Sequence, residues 1–111
     1  MNKEFCTYEQ AVALKELGFD EPCLKTMLDF DITYESNIKM PLKQQAFRWF
    51  RDVHELEGVP QKAASFSWFK FCIWKYTSNG KHRVNDAFEH KTYEEAESAC
   101  LDELIEIVKT K

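Results

Sequence analysis

Four cysteines (Cys6, Cys23, Cys72 and Cys100) and three histidines (His54, His82 and His90) are the side chains best suited to act as nucleophiles, metal ligands or proton carriers. Their spacing argues against all three uses. No two cysteines form a C-x-x-C pair, and no histidine stands at a ligand interval from another or from a thiol, so a metal site has no local half to build on. Cys6 directly precedes the residue at which a helix starts, where a helix terminus can depress a thiol pKa. Packing as a small apolar side chain is its simpler use. Nothing in the spacing calls Cys72, Cys100 and His90 together, and the chain has no Gly-rich phosphate loop and no Ser or Cys nucleophile motif. It reads as non-enzymatic, with no metal and no cofactor, its cysteines being reduced, buried thiols.

Recognition chemistry is concentrated in residues 66–89. Phe66 to Thr77 is rich in aromatic and β-branched residues, and Asn79-Gly80 follows, which predicts a two-residue type I′ hairpin with a second strand from Lys81 to about Glu89. In that register Thr77 opposes His82, Lys75 opposes Val84, Ile73 opposes Asp86 and Phe71 opposes Phe88 on one face. The other face pairs Tyr76 with Arg83, Trp74 with Asn85, Cys72 with Ala87 and Lys70 with Glu89. Phe69, Phe71 and Ile73 then fill the core, while Phe66, Trp68, Trp74 and Tyr76 project among Lys70, Arg83 and Asn85. Rings interleaved with cations bind a protein partner or stack nucleobases, so Trp68, Lys70, Trp74, Tyr76 and Arg83 are the candidate partner-binding residues. If helices or a second copy of the chain cover this face, the same residues are core or a homodimer interface. Asp86 opposite Ile73 puts a carboxylate on the core face and warns of a different register. Arg48 and Arg51, flanking Trp49, have the chemistry to meet phosphate or an acidic partner. The plainer reading is a solvated helix face with Arg51 pairing to Glu55.

Helices must position these residues, and two of them announce their starts. Thr7-Tyr8-Glu9-Gln10-Ala11 returns as Thr92-Tyr93-Glu94-Glu95-Ala96, each preceding a helix-period apolar stripe. Both are read as capping boxes: the Thr hydroxyl accepts from the N3 backbone N–H, and the N3 Gln or Glu reaches back to the N-cap N–H. The first helix spans Thr7 to Leu17, with Gly18 as the left-handed residue of a Schellman ending that sets Phe19 against Leu14, and Pro22 beyond it. From Leu24 to Tyr34 the apolar period is two, which predicts one strand or two short ones. A second helix runs from about Leu42 to Glu57, with Ala46, Trp49, Phe50, Val53 and Leu56 on one stripe, Pro41 setting its start, and Gly58 and Pro60 stopping it. The last helix begins at the second box and runs to about Lys109; Glu94, Glu95 and Glu97 near its start and Lys109 and Lys111 at its end suit the macrodipole.

The order α-β-α-β-β-α predicts an α+β fold, an antiparallel sheet of three to four strands packed against three helices. At 111 residues the chain, 1–111, is expected to be a single domain, and 44% hydrophobic with 31% charged residues is globular rather than disordered. No run approaches the roughly 20 apolar residues of a membrane span, and Met1 to Phe5 lacks a signal peptide's apolar segment, so a cytoplasmic protein with no membrane partner is expected. A net charge of −4 gives no general attraction to nucleic acid.

Three stretches, TYEQAVALKELGFDEPC (7–23), QAFRWFR (45–51) and TYEEAESACLDELIEIV (92–108), together resemble a group of small uncharacterised proteins encoded by phages and prophages of gut Bacteroidales. They cover a little over a third of the chain. Leu42 departs from the Thr-Tyr start of the second helix in many members, and 24–38 and 59–91 carry no matching signature. The resemblance implies a phage source and a bacterial host cytoplasm, and no activity, cofactor or catalytic residue. The expected function is that of a non-enzymatic phage-type accessory protein that binds a host or phage protein. The alternative is nucleic-acid binding by the aromatic and basic face of 66–89.

Overall fold

The computed structural model describes residues 5–21, 25–26, 39–62 and 68–110. In chain order these form α1 (Tyr8–Glu16), β1 (Lys25–Thr26), β2 (Lys39–Met40), α2 (Lys43–His54), β3 (Leu56–Lys62), β4 (Phe69–Thr77), β5 (Gly80–His90) and α3 (Tyr93–Lys109). The main sheet is antiparallel, in the order β3-β4-β5, and β1 and β2 form a separate antiparallel ladder. The class is α+β, as expected. The order differs: with the short β1–β2 ladder set aside it is α-α-β-β-β-α, because the third strand of the sheet follows α2 instead of preceding it. Of the strand expected over Leu24 to Tyr34, only Lys25–Thr26 falls within the described residues; Cys23 and Phe66 also lie outside them.

Local chemistry fixes α1 at both ends. Thr7 Oγ1 accepts from the Gln10 N–H at 3.1 Å and Gln10 Oε1 accepts from the Thr7 N–H at 2.9 Å, a complete capping box. At the other end Gly18 has φ +101°, its N–H donates to the Lys15 carbonyl, and the Phe19 N–H donates to the Leu14 carbonyl, the two bonds of a Schellman motif. Phe19 is thereby turned into the core beside Leu14 and meets the Trp49 ring edge-on at 5.5 Å.

The second helix ends two to three residues before the expected stop. Glu55 takes the left-handed conformation (φ 58°, ψ 32°), its N–H donates to the Phe50 carbonyl, and its own carbonyl accepts from the Tyr76 N–H at 2.9 Å. The chain therefore leaves α2 directly into the sheet. Leu56 is buried from β3 rather than from the helix, while Val53, assigned to the apolar stripe, is 56% exposed. The expected Arg51–Glu55 pair does not form because Glu55 has left the helix: its carboxylate lies 3.9 Å from Lys75 Nζ, and Arg51 Nε lies 3.4 Å from Asp52.

Gly58 and Pro60, read as helix stops, are members of β3. Pro60 is accommodated because β3 is an edge strand. Gly58 is needed for close packing, since a Cβ there would stand 2.7 Å from Cys100 Sγ, 2.9 Å from Phe47 and 3.0 Å from Leu104. Cys100 and Leu104 of α3 thus rest against the backbone of β3.

The hairpin forms where expected, but with a different turn. Thr77 pairs with Gly80, so Ser78 and Asn79 are the loop, and only Gly80 has positive φ (+112°). A type I′ turn needs positive φ at both central residues, so it is excluded; Gly80 instead opens β5 directly opposite Thr77. Two register shifts follow, between Ile73 and Trp74 and between Phe69 and Phe71. Trp74 consequently faces Arg83 instead of Asn85, Ile73 faces Asn85 instead of Asp86, and only at Phe69 with His90 does the expected register return. The core joins Leu14, Phe19, Trp49, Phe50, Leu56, Phe71, Ile73, Leu101 and Leu104. Thr92 Oγ1 caps α3 by accepting from the Glu95 N–H at 3.1 Å. Glu95 departs from the expected box, accepting from the N–H of Lys91 at 3.0 Å, one residue before the cap.

Candidate functional site

Strand alternation divides β3 and β4 between two faces. Gly58 and Pro60 share a face with their partners Ile73 and Phe71, and α2 and α3 pack on it, as the neighbours of Gly58 show. Glu57, Val59 and Gln61 share the other with Trp74, Cys72 and Lys70.

On this second face a compact cluster surrounds Trp74, which is half-buried. Lys81 Nζ stands 4.8 Å and the Arg83 guanidinium 5.3 Å from its ring centroid, both within cation–π range. Glu57 closes the cluster: one carboxylate oxygen accepts from the Tyr76 hydroxyl at 2.8 Å and lies 3.9 Å from Lys81 Nζ. The hydrogen bond to Glu57 is the main cause that lifts the Tyr76 pKa above its ordinary value, with burial and the Glu57 charge adding to it and the Arg51 charge opposing it. Tyr76 is held as a neutral donor.

Of the five candidate residues, Trp74, Tyr76 and Arg83 are brought together. Lys70 sits opposite Gln61, about 13 Å further along β4 at a rise of ~3.3 Å per residue. Trp68 is a half-buried bend residue before the strand. Lys81 and Glu57 were not picked out by their sequence. Lys81 was legible as the first residue past Gly80, whereas Glu57 joins only because β3 is a strand.

A second feature opens on the other side of the β3 edge. A groove of about 230 Å³ lies between α2, β3 and the start of α3, with Arg48 and Arg51 on one wall and Phe47, Pro60, Tyr93 and Glu97 completing it. Glu57 also borders it, so the groove and the Trp74 cluster share a residue. Behind the wall Glu97 and Lys43 form an ion pair of 3.8 Å, with side chains only 10% and 6% exposed. Arg48 lies 3.9 Å from Glu21, and both are partly exposed. Burial, then the Glu97 charge, raises the pKa of Tyr93.

Cys6, Cys72 and Cys100 are buried free thiols. Burial pushes the Cys100 pKa far above the ordinary thiol value, which keeps it protonated and a poor nucleophile. His90 stacks on Phe71 at 5.9 Å and His54 meets Trp49 edge-on at 4.9 Å. Among the described residues no group of three or more His, Cys, Asp or Glu side chains is placed to hold a metal ion, and no helix is long and apolar enough to cross a membrane. No family model matches the chain, and neither a curated protein nor a solved structure matches it at a significant level.

Proposed function

We propose that this chain is a non-enzymatic accessory protein that works by binding another protein through the face of the sheet that carries Trp74. The observation that supports this reading is the stacking of Lys81 and Arg83 on Trp74 beside the Tyr76–Glu57 hydrogen bond. A half-buried ring bearing two positioned cations and a neutral phenol is the composition of an interface anchor. The same geometry weighs against the nucleic-acid alternative. Two cations already lie over the indole, where a stacked base would have to insert, and the Glu57 carboxylate beside them repels phosphate. The resemblance of the Thr-Tyr-Glu and Phe-Arg-Trp-Phe-Arg segments to Bacteroidales phage proteins supports a phage-encoded role in the cytoplasm of a bacterial host.

The test is affinity capture from lysate of the host, with and without phage, using the wild-type chain and Trp74→Ala. The wild type retains a specific protein and Trp74→Ala loses it, while circular dichroism of the variant stays that of the folded chain. Equal capture by both removes this face as the binding site. Titration with single-stranded and duplex oligonucleotides at low salt decides the alternative, because phosphate-driven binding is strong there and weakens steeply as salt rises.

A further inference from the structure

The groove between α2, β3 and α3 is walled on its apolar side by Phe47, half-buried, and Tyr93, 40% exposed. Its volume of about 230 Å³ suits a single large side chain rather than a folded surface. Its charges are not equivalent. The two carboxylates at its border are already engaged, Glu97 in a buried pair with Lys43 and Glu57 with the Tyr76 hydroxyl at 2.8 Å and, in a partly exposed pair, with Lys81. The two guanidiniums have only surface contacts, Arg48 with Glu21 at 3.9 Å and Arg51 with its neighbour Asp52 at 3.4 Å. Such exposed pairs are weak and are readily exchanged for a better-placed carboxylate. The electrostatic capacity left to the groove is therefore positive.

Continuity adds a direction. Glu57 is common to the groove and to the Trp74 cluster, and Arg51 is close enough for its charge to act on Tyr76 across the β3 edge. Arg48 and Arg51 at the groove and Lys81 and Arg83 at Trp74 thus stand on either side of Glu57, a band of cations interrupted by one carboxylate, with rings at both ends. We propose that the groove is the anchor pocket of this band and takes an acidic, extended segment of a partner protein, which inserts one aromatic or large aliphatic side chain between Phe47 and Tyr93 and sets its flanking carboxylates on Arg48 and Arg51. The inference rests on the protein-binding reading above and adds to it the chemistry of the partner and a second contact site. Separated carboxylates on a peptide fit this band better than a continuous run of phosphates, which would have to cross Glu57.

The experiment uses an array of random acidic peptides, each holding one Leu, Phe or Trp, beside matched arrays with the acids replaced by Gln or by Lys. The labelled full chain is applied, and the dissociation constants of any binders are measured for wild type, R48Q/R51Q, Tyr93→Ser and Trp74→Ala, each checked by thermal melting. The expected result is binders confined to the acidic array, weakened about tenfold or more by R48Q/R51Q and by Tyr93→Ser. Binders lost in Trp74→Ala but indifferent to the groove variants overturn the pocket while leaving the Trp74 face standing. Binders lost only in the groove variants keep the pocket and remove that face. An acidic array without binders, or equal binding to the Lys array or to a single-stranded oligonucleotide, overturns the proposal.

Discussion

The Gln10 amide nitrogen donates to the Ser98 carbonyl, the Ser98 hydroxyl and Asp102 Oδ1 at 2.9–3.1 Å, while its oxygen holds the Thr7 N–H. One side chain thus caps α1 and bolts it to α3. The choice of Gln in the first Thr-Tyr-Glu box and Glu in the second follows from this, since Gln10 is 2% exposed and must donate, whereas Glu95 is exposed and needs only to accept. The local half of its role was legible in the sequence. The other half was not, because its partners lie 88 and 92 residues away. Gln10→Glu should therefore cost about 2–3 kcal/mol at neutral pH, from lost buried hydrogen bonds and a new carboxylate facing Asp102. Burial and like charge raise the pKa of the new acid above its unfolded value, so the penalty is full above that pKa and shrinks as pH falls through it. Urea denaturation of variant and wild type at neutral and acidic pH checks both size and direction. Glu95→Gln, at the exposed cap, should change stability by less than about 0.5 kcal/mol.

At the scale of elements, the hairpin and all three helices were legible because each carries its own local code, but β3 was not. Val53 and Leu56 continue the helical period of α2, and Gly58 and Pro60 are ordinary helix breakers, so nothing local separates Leu56–Lys62 from a fraying helix end. What makes it a strand is tertiary: Glu55 accepts a left-handed backbone as its carbonyl receives the Tyr76 N–H, and α3 packs onto the bare Cα of Gly58. The Trp74 cluster was missed in part for the same reason, since Glu57 belongs to this strand. Gly58→Ala measures that contact. Its Cβ would meet Cys100 Sγ at 2.7 Å, with Phe47 and Leu104 close behind, so the variant should lose about 1–3 kcal/mol through overpacking. Adding Cys100→Ala removes the nearest obstacle. A double-mutant cycle by chemical denaturation should show a favourable coupling of about 1 kcal/mol between the two substitutions; strict additivity would mean that α3 does not rest on β3 in this way.

Across the whole molecule, three helices and one sheet face make the core, and the remaining chemistry gathers around the edge of β3. The Lys43–Glu97 ion pair stands at this junction, linking the first turn of α2 to α3 behind the groove wall. Glu97 was read from the sequence only as suiting the α3 macrodipole; its 10% side-chain exposure and buried lysine partner add a structural role. A buried pair of this kind contributes less than its Coulomb attraction suggests, because both charges leave water, yet removing one partner strands the other. Lys43→Met should therefore destabilise the protein by about 3 kcal/mol, while Lys43→Met with Glu97→Met should return to within about 1 kcal/mol of wild type. Thermal and urea denaturation of the two variants separate these outcomes, and a double variant as unstable as the single one would mean that the pair, rather than the stranded charge, holds α2 to α3. The double variant also bears on recognition. It removes the groove's most buried carboxylate and leaves Arg48, Arg51 and Tyr93 in place, so an acidic peptide that uses the groove should bind it at least as tightly as wild type, whereas weakened binding would mean that Glu97 itself meets the ligand.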